Sequence, residues 1–146
     1  MEKWITNGGK WFNKIPPHLQ SVWAFVFSEL PIAIEIEVPK GVVGIVHADC
    51  VAHEWSRMVQ MLESPANAKE RKLIHGACLH SRSRIDLNDT TPVGGIRAVV
   101  VGHSPVKAMR QIANVYHIDT TGGAEDGHYT FFDLKTLNVI FHQGAI

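Results

Sequence analysis

Apolar and polar positions change their spacing several times along this chain, and each change marks an element. After Pro16-Pro17, residues Leu19, Val22, Trp23, Val26, Phe27 and Leu30 recur at helical spacing. This predicts a helix with prolines in its first turn and one apolar stripe facing a core, ended by Pro31. From residue 32 the period falls to two. Ile32, Ile34, Ile36 and Val38 alternate with Ala33, Glu35 and Glu37, the pattern of a half-buried strand. Pro39-Lys40-Gly41 reads as a turn, and Val42 to Val46 as the returning strand of a hairpin. Stretches 52–63 and 67–78 read as helices separated by Ser64-Pro65. Residues 86–95, with Asn88, Asp89, Pro92, Gly94 and Gly95, read as a loop. The last third reads as strands over 96–101, 115–119, 129–133 and 139–141, with a short helix after Pro105. Strands mixed with helices, with no repeat or linker, predict one α/β (α+β) domain over 1–146: a mixed sheet flanked by helices.

Two of the strands end abruptly in histidine: Gly44-Ile45-Val46-His47 and Val99-Val100-Val101-Gly102-His103. A side chain at a strand tip is held rigidly and projects beyond the sheet edge. Two such tips suggest a metal or phosphate site along one rim. Gly102, lacking a Cβ, allows close approach of a ligand to the backbone. A neutral imidazole in this position suits zinc, manganese or iron. Asp49, in His47-Ala48-Asp49, either orients His47 from behind or caps a turn.

Charge and composition narrow the field. Fourteen basic residues balance fourteen acidic ones, so no overall field draws nucleic acid or an anionic membrane. No stretch approaches the roughly 20 apolar residues of a membrane span. Two cysteines, Cys50 and Cys78, are too few for a disulfide framework, and no leader character precedes them; a reducing cytoplasm is the expected setting. Of the nine histidines, His18, His75, His128 and His142 fall in no constellation. In Leu79-His80-Ser81-Arg82-Ser83-Arg84-Ile85, a guanidinium fork could grip a phosphate. On an extended segment Arg82 and Arg84 would point opposite ways, one into the site and the other to solvent or a carboxylate. Tyr116-His117-Ile118-Asp119-Thr120 reads as a strand end and turn, with Gly122-Gly123 in a tight loop.

Taken in order, these pieces resemble the C-terminal half of the phage and bacterial, lambda-type Ser/Thr protein phosphatases of the metallophosphoesterase superfamily. The resemblance runs through Trp4 to Phe12, the segment before the hairpin, His47-Ala48-Asp49, Arg82-Ser83-Arg84-Ile85, Gly102-His103-Ser104-Pro105 and Ile118-Asp119-Thr120. It implies that His47 and His103 bind the same metal of a dinuclear pair, manganese or else iron or zinc, and that Arg82 contacts the substrate phosphate. The family usually has Trp where His80 stands, and Thr121 here intervenes before Gly122.

The family motifs Asp-x-His-Gly, Gly-Asp-x-x-Asp-Arg-Gly and Gly-Asn-His-Glu do not occur in these 146 residues. The resemblance thus implies a partial metallophosphoesterase fold, lacking the N-terminal half of a two-sheet sandwich, and an incomplete dinuclear site. Two histidines leave an ion mostly water-coordinated, so weak metal binding and negligible phosphatase turnover are expected of the chain alone. Uncovered apolar sheet surface would favour self-association or docking onto a separate N-terminal half, which would restore a phosphoprotein phosphatase. Two other readings stay open: a non-catalytic remnant binding a partner or phosphate through Arg82, and a fragment of a dinucleoside polyphosphate hydrolase.

Overall fold

The structure, a computed structural model, describes residues 5, 9–50, 52–121 and 127–144, with the side chains of 142–144 outside the description. The loop expected at Gly122-Gly123 falls outside the described residues. The chain forms two compact units, Met1–Pro31 and Ile32–Ile146.

In the first unit a 3₁₀ turn over Gly9–Lys14 precedes helix α1, Pro17–Ser28. Pro16 and Pro17 open the helix as expected, because its first N–H groups have no intrahelical acceptor and proline lacks one. The expected burial of the stripe is not found. No residue of α1 is buried, and Val22 and Phe27 are 54% and 47% exposed. Phe25, outside the stripe, is exposed as well. The periodicity set the helix correctly, but it carries no information about what covers the apolar face.

The second unit is built on a five-stranded sheet in the order β1-β2-β3-β5-β4. Strands β1 (Ala33–Val38) and β2 (Gly41–Val46) form the expected antiparallel hairpin. Strand β2 pairs in parallel with β3 (Ala98–Val101), and β3 with β5 (Val115–His117). Strand β4 (Arg110–Ile112) closes the far edge antiparallel to β5. Helices α2 (Trp55–Glu63), α3 (Ala68–His80) and α4 (Ser83–Leu87) lie between β2 and β3 in the chain. A separate hairpin, β6 (His128–Asp133) with β7 (Asn138–Gly144), ends the described chain. The mixed α/β architecture is as the sequence predicts.

Alternation along the strands sends side chains to two faces. Val46, Val99, Val101 and Val115 meet Trp55 and Met58 of α2 and Ile74 and Cys78 of α3 in one buried cluster. Burying each such side chain stabilises by roughly 1.5–3 kcal/mol. Trp55 lies flat over Gly44, where any Cβ would collide with the indole, and its Nε1 donates to Glu35 Oε1 at 2.5 Å. On the other face Val43, Ala98, Val100 and Tyr116 pack with Phe132, Leu134 and Leu137 of the second hairpin. Ile34 and Ile36, on that face of edge strand β1, are 44% and 36% exposed. Of the strand expected to be half-buried, Ile34 and Ile36 are therefore open to solvent, while Ile32 and Val38 are partly buried against the two clusters.

Two local expectations are corrected. The helix after Pro105 does not form; residues 107–108 bend and the chain enters β4. The Arg82–Ile85 segment is not extended but starts the short helix α4.

Candidate functional site

Parallel pairing fixes the site. Val46 of β2 stands opposite Val101 of β3, so the two chains leave the sheet side by side at their carboxyl ends. That edge is where open α/β sheets bind their ligands. His47 follows β2 directly, and the Gly102 N–H donates to the His47 carbonyl at 2.9 Å. The Ala48 N–H donates to the Cys78 carbonyl at 2.8 Å, tying the same loop to the end of α3. A Cβ on Gly102 would meet His47 O at 3.6 Å and Asp119 Cβ at 3.9 Å, which is ordinary contact. No crowding within the protein therefore demands glycine there.

His103 sits at φ +62°, and the Ser104 N–H donates back to the Gly102 carbonyl at 2.6 Å across it, making a γ-turn. Non-glycine residues rarely hold this conformation, which costs on the order of 1–3 kcal/mol and persists where flanking bonds over-determine it. Here the bonds are Gly102 to His47 and Val106 N–H to the Asp119 carbonyl at 2.9 Å. The turn directs the imidazole back toward β2.

The two strand-tip histidines converge. His47 Nε2 and His103 Nδ1 stand 3.2 Å apart, with ring centroids 5.0 Å apart and planes at 61°. The exposed His80, at the end of α3, places its ring centroid 6.1 Å from that of His103. Burial first, then repulsion from the neighbouring His47, Arg82 and His80, pushes the His103 pKa below its ordinary value and favours the neutral, ligating imidazole.

The separation suits a hydrogen bond between the two rings, and it equally suits two ligands of one cation. Nitrogens each about 2.1 Å from an ion, and about 90–110° apart around it, would stand about 3.0–3.4 Å from each other. The 3.2 Å separation falls inside that range. Among the described residues no third His, Cys, Asp or Glu completes a metal-binding group.

Asp49 has a different set of partners from the one a role behind His47 would give it. Its Oδ1 accepts from Arg84 Nε at 3.3 Å, and its Oδ2 from the Arg84 backbone N–H at 3.3 Å and Ser81 Oγ at 3.5 Å. Both side chains are almost fully buried, at 1% and 3% exposed for Arg84 and Asp49. Arg84 Nη1 also donates to the carbonyls of Asp89 and Thr91, each at 2.8 Å. So Arg84 is the arginine that meets a carboxylate. Arg82 stays exposed beside the histidines, with Nη2 3.4 Å from the His103 carbonyl oxygen.

Three features escaped the sequence reading. His53 bonds Asp89 through Nε2 at 2.6 Å. His117 is 1% exposed with neither ring nitrogen hydrogen-bonded. Lys107 and Arg110 line a groove of about 510 Å³ together with Arg82. Only the last had a signal, the cations following Gly-His-Ser-Pro, and the helix expected there obscured it.

No protein-family profile matches the chain. Among the described residues no helix is long and apolar enough to cross a membrane. The chain is 27% identical over 122 residues to serine/threonine-protein phosphatase 1 of Salmonella typhimurium, a match covering 80% of this chain and 50% of that protein. It thus spans about half the length of that relative, and is distantly related to a Ser/Thr protein phosphatase.

Proposed function

We propose that this chain is the C-terminal part of a metal-dependent phosphoprotein phosphatase of the metallophosphoesterase superfamily. In this reading His47 and His103 hold one ion of a dinuclear site and Arg82 grips the substrate phosphate. The observation that carries it is the 3.2 Å approach of two imidazole nitrogens from residues 56 apart in sequence. The distant phosphatase relative supports it independently. Arg82 supports it too: its near neighbour Arg84 is consumed by Asp49, which leaves Arg82 as the exposed cation beside the pair.

When bound, a divalent ion, manganese or else iron or zinc, would acidify water and neutralise phosphate charge. The chain's own groups then have distinct tasks. His47 and His103 present nitrogen lone pairs from a rigid edge. Arg82 orients the phosphate by charge-assisted hydrogen bonds. The Asp49–Arg84 pair holds the segment that carries Arg82. Two histidines without acidic ligands bind an ion weakly, so the chain alone turns over phosphate negligibly. Apolar residues left exposed, Val22 and Phe27 on α1 and Ile34 and Ile36 on β1, are the seats for the complementary half or for a second copy.

Calorimetric titration with Mn²⁺ tests the ligand assignment. The expected result is one weak site, abolished in His47→Ala and in His103→Ala with the fold intact by circular dichroism. Metal uptake unchanged in both variants would remove these residues from the site.

A further inference from the structure

We propose that the groove beside the histidine pair is a second anion subsite, which takes an acidic side chain flanking the phosphorylated residue of a peptide substrate. The proposal rests on the phosphatase reading and narrows its substrate class. The groove holds about 510 Å³ and opens to solvent between α4 and the segment from Ser104 to Arg110. Arg82, Lys107 and Arg110 line it, against one carboxylate, Asp86. Lys107 and Arg110 have no carboxylate partner among the described residues. Arg110 is nonetheless fixed, because its Nη2 donates to Asn88 Oδ1 at 2.8 Å.

Ser104 gives a second, independent indication. It lines the groove, is 3% exposed, and its hydroxyl has no hydrogen-bond partner. A buried hydroxyl without a partner is costly, and a rotation about its Cα–Cβ bond that brought it to an anion in the groove would relieve that cost.

Position sets the ligand. Arg82 belongs both to the groove and to the surroundings of His103, and Ser104 follows His103 directly. A phosphoryl group at Arg82 therefore places the adjoining residues of an extended peptide along Lys107 and Arg110. The rest of the lining is aliphatic and no aromatic side chain is among it, so the groove offers no platform for stacking a nucleobase. That favours a peptide over a dinucleoside polyphosphate.

The test is fluorescence anisotropy of two labelled phosphoserine peptides on the 146-residue chain, one flanked by aspartates and one by alanines, in EDTA. The aspartate-flanked peptide should bind about three- to tenfold more tightly, as two solvent-exposed charge pairs allow. The preference should shrink with added salt. Lys107→Ala with Arg110→Gln should erase the preference, while the gain from phosphorylation itself persists and depends on Arg82. Equal affinities, no binding of either peptide, or a preference that survives both substitutions would overturn the subsite. Stronger competition by a dinucleoside tetraphosphate than by the acidic peptide would overturn the choice of ligand. Loss of the gain from phosphorylation, with the flank preference intact, would sink the phosphate role of Arg82 and leave the groove standing.

Discussion

His117 shows how one buried side chain sets a pH dependence. It lies in β5 with 1% of its surface exposed and neither ring nitrogen bonded, so the charged form is disfavoured. Burial is the main cause that lowers its pKa from 6.5; the Arg84 and Arg110 charges act the same way, against the opposing pull of Asp49. The unfolded chain, with its pKa near 6.5, takes up this proton first as pH falls. Stability is therefore full above pH 6.5 and is lost as pH drops from there toward the lowered folded value. One proton bounds the slope at about 1.4 kcal/mol per pH unit. His117→Phe keeps the bulk and removes the titration. Its melting temperature should fall less steeply than that of the natural chain between pH 7 and pH 5. Parallel curves would show that His117 contributes nothing to acid sensitivity.

Helix α4 exists because of contacts that lie far away in sequence. Its five residues are too few to nucleate a helix alone. What holds it is the Asp49 carboxylate, 35 residues earlier, which accepts from the Arg84 N–H and Nε. No local pattern could reveal this, so the sequence suggested an extended segment. Strand β4 was hidden for a related reason. Three residues give no alternation to read, and β4 forms only because Ala113, at φ +54°, turns the chain back to pair with β5. By contrast the hairpin of residues 33–46 and the two histidine tips were legible, since alternation marks a strand even where its outer face stays open, and the β-branched run of β3 is fully buried. The exposed stripe of α1 marks the boundary of such reasoning: spacing identifies an apolar face but not its cover. The Asp49–Arg84 tie makes a prediction at this scale. Arg84→Met strands a buried carboxylate and removes the donor of two carbonyls, so it should destabilise by about 3–5 kcal/mol in urea titration. Asp49→Asn in the same chain should restore part of the loss, because the pair acts as a unit. A loss below about 1 kcal/mol would mean the loop is held by other contacts.

At the scale of the whole molecule, the sheet edge is assembled, and on the proposed reading its chemistry is partial. The His47–His103 pair, the Asp49–Arg84 tie and the exposed Arg82 are all in place in 146 residues. The carboxylate-bearing motifs of the phosphatases are not in the sequence, and the match spans half of the Salmonella relative. A two-metal hydrolysis depends on charge placed on both sides of the phosphate, so two histidines and an arginine without those carboxylates should give a negligible rate. This separates binding from catalysis and makes complementation the decisive measurement. A second polypeptide carrying Asp-x-His-Gly, Gly-Asp-x-x-Asp-Arg-Gly and Gly-Asn-His-Glu, co-expressed with this chain, should form a complex that hydrolyses p-nitrophenyl phosphate with Mn²⁺. Neither polypeptide alone should do so. His47→Ala in this chain should abolish the rate without dissociating the complex, since His47 lies at the sheet edge and outside the exposed apolar rows. A stable complex with no activity would show that these histidines serve binding rather than turnover. Failure to associate, with the exposed apolar residues instead driving self-association of this chain, would make a second copy the partner that covers them.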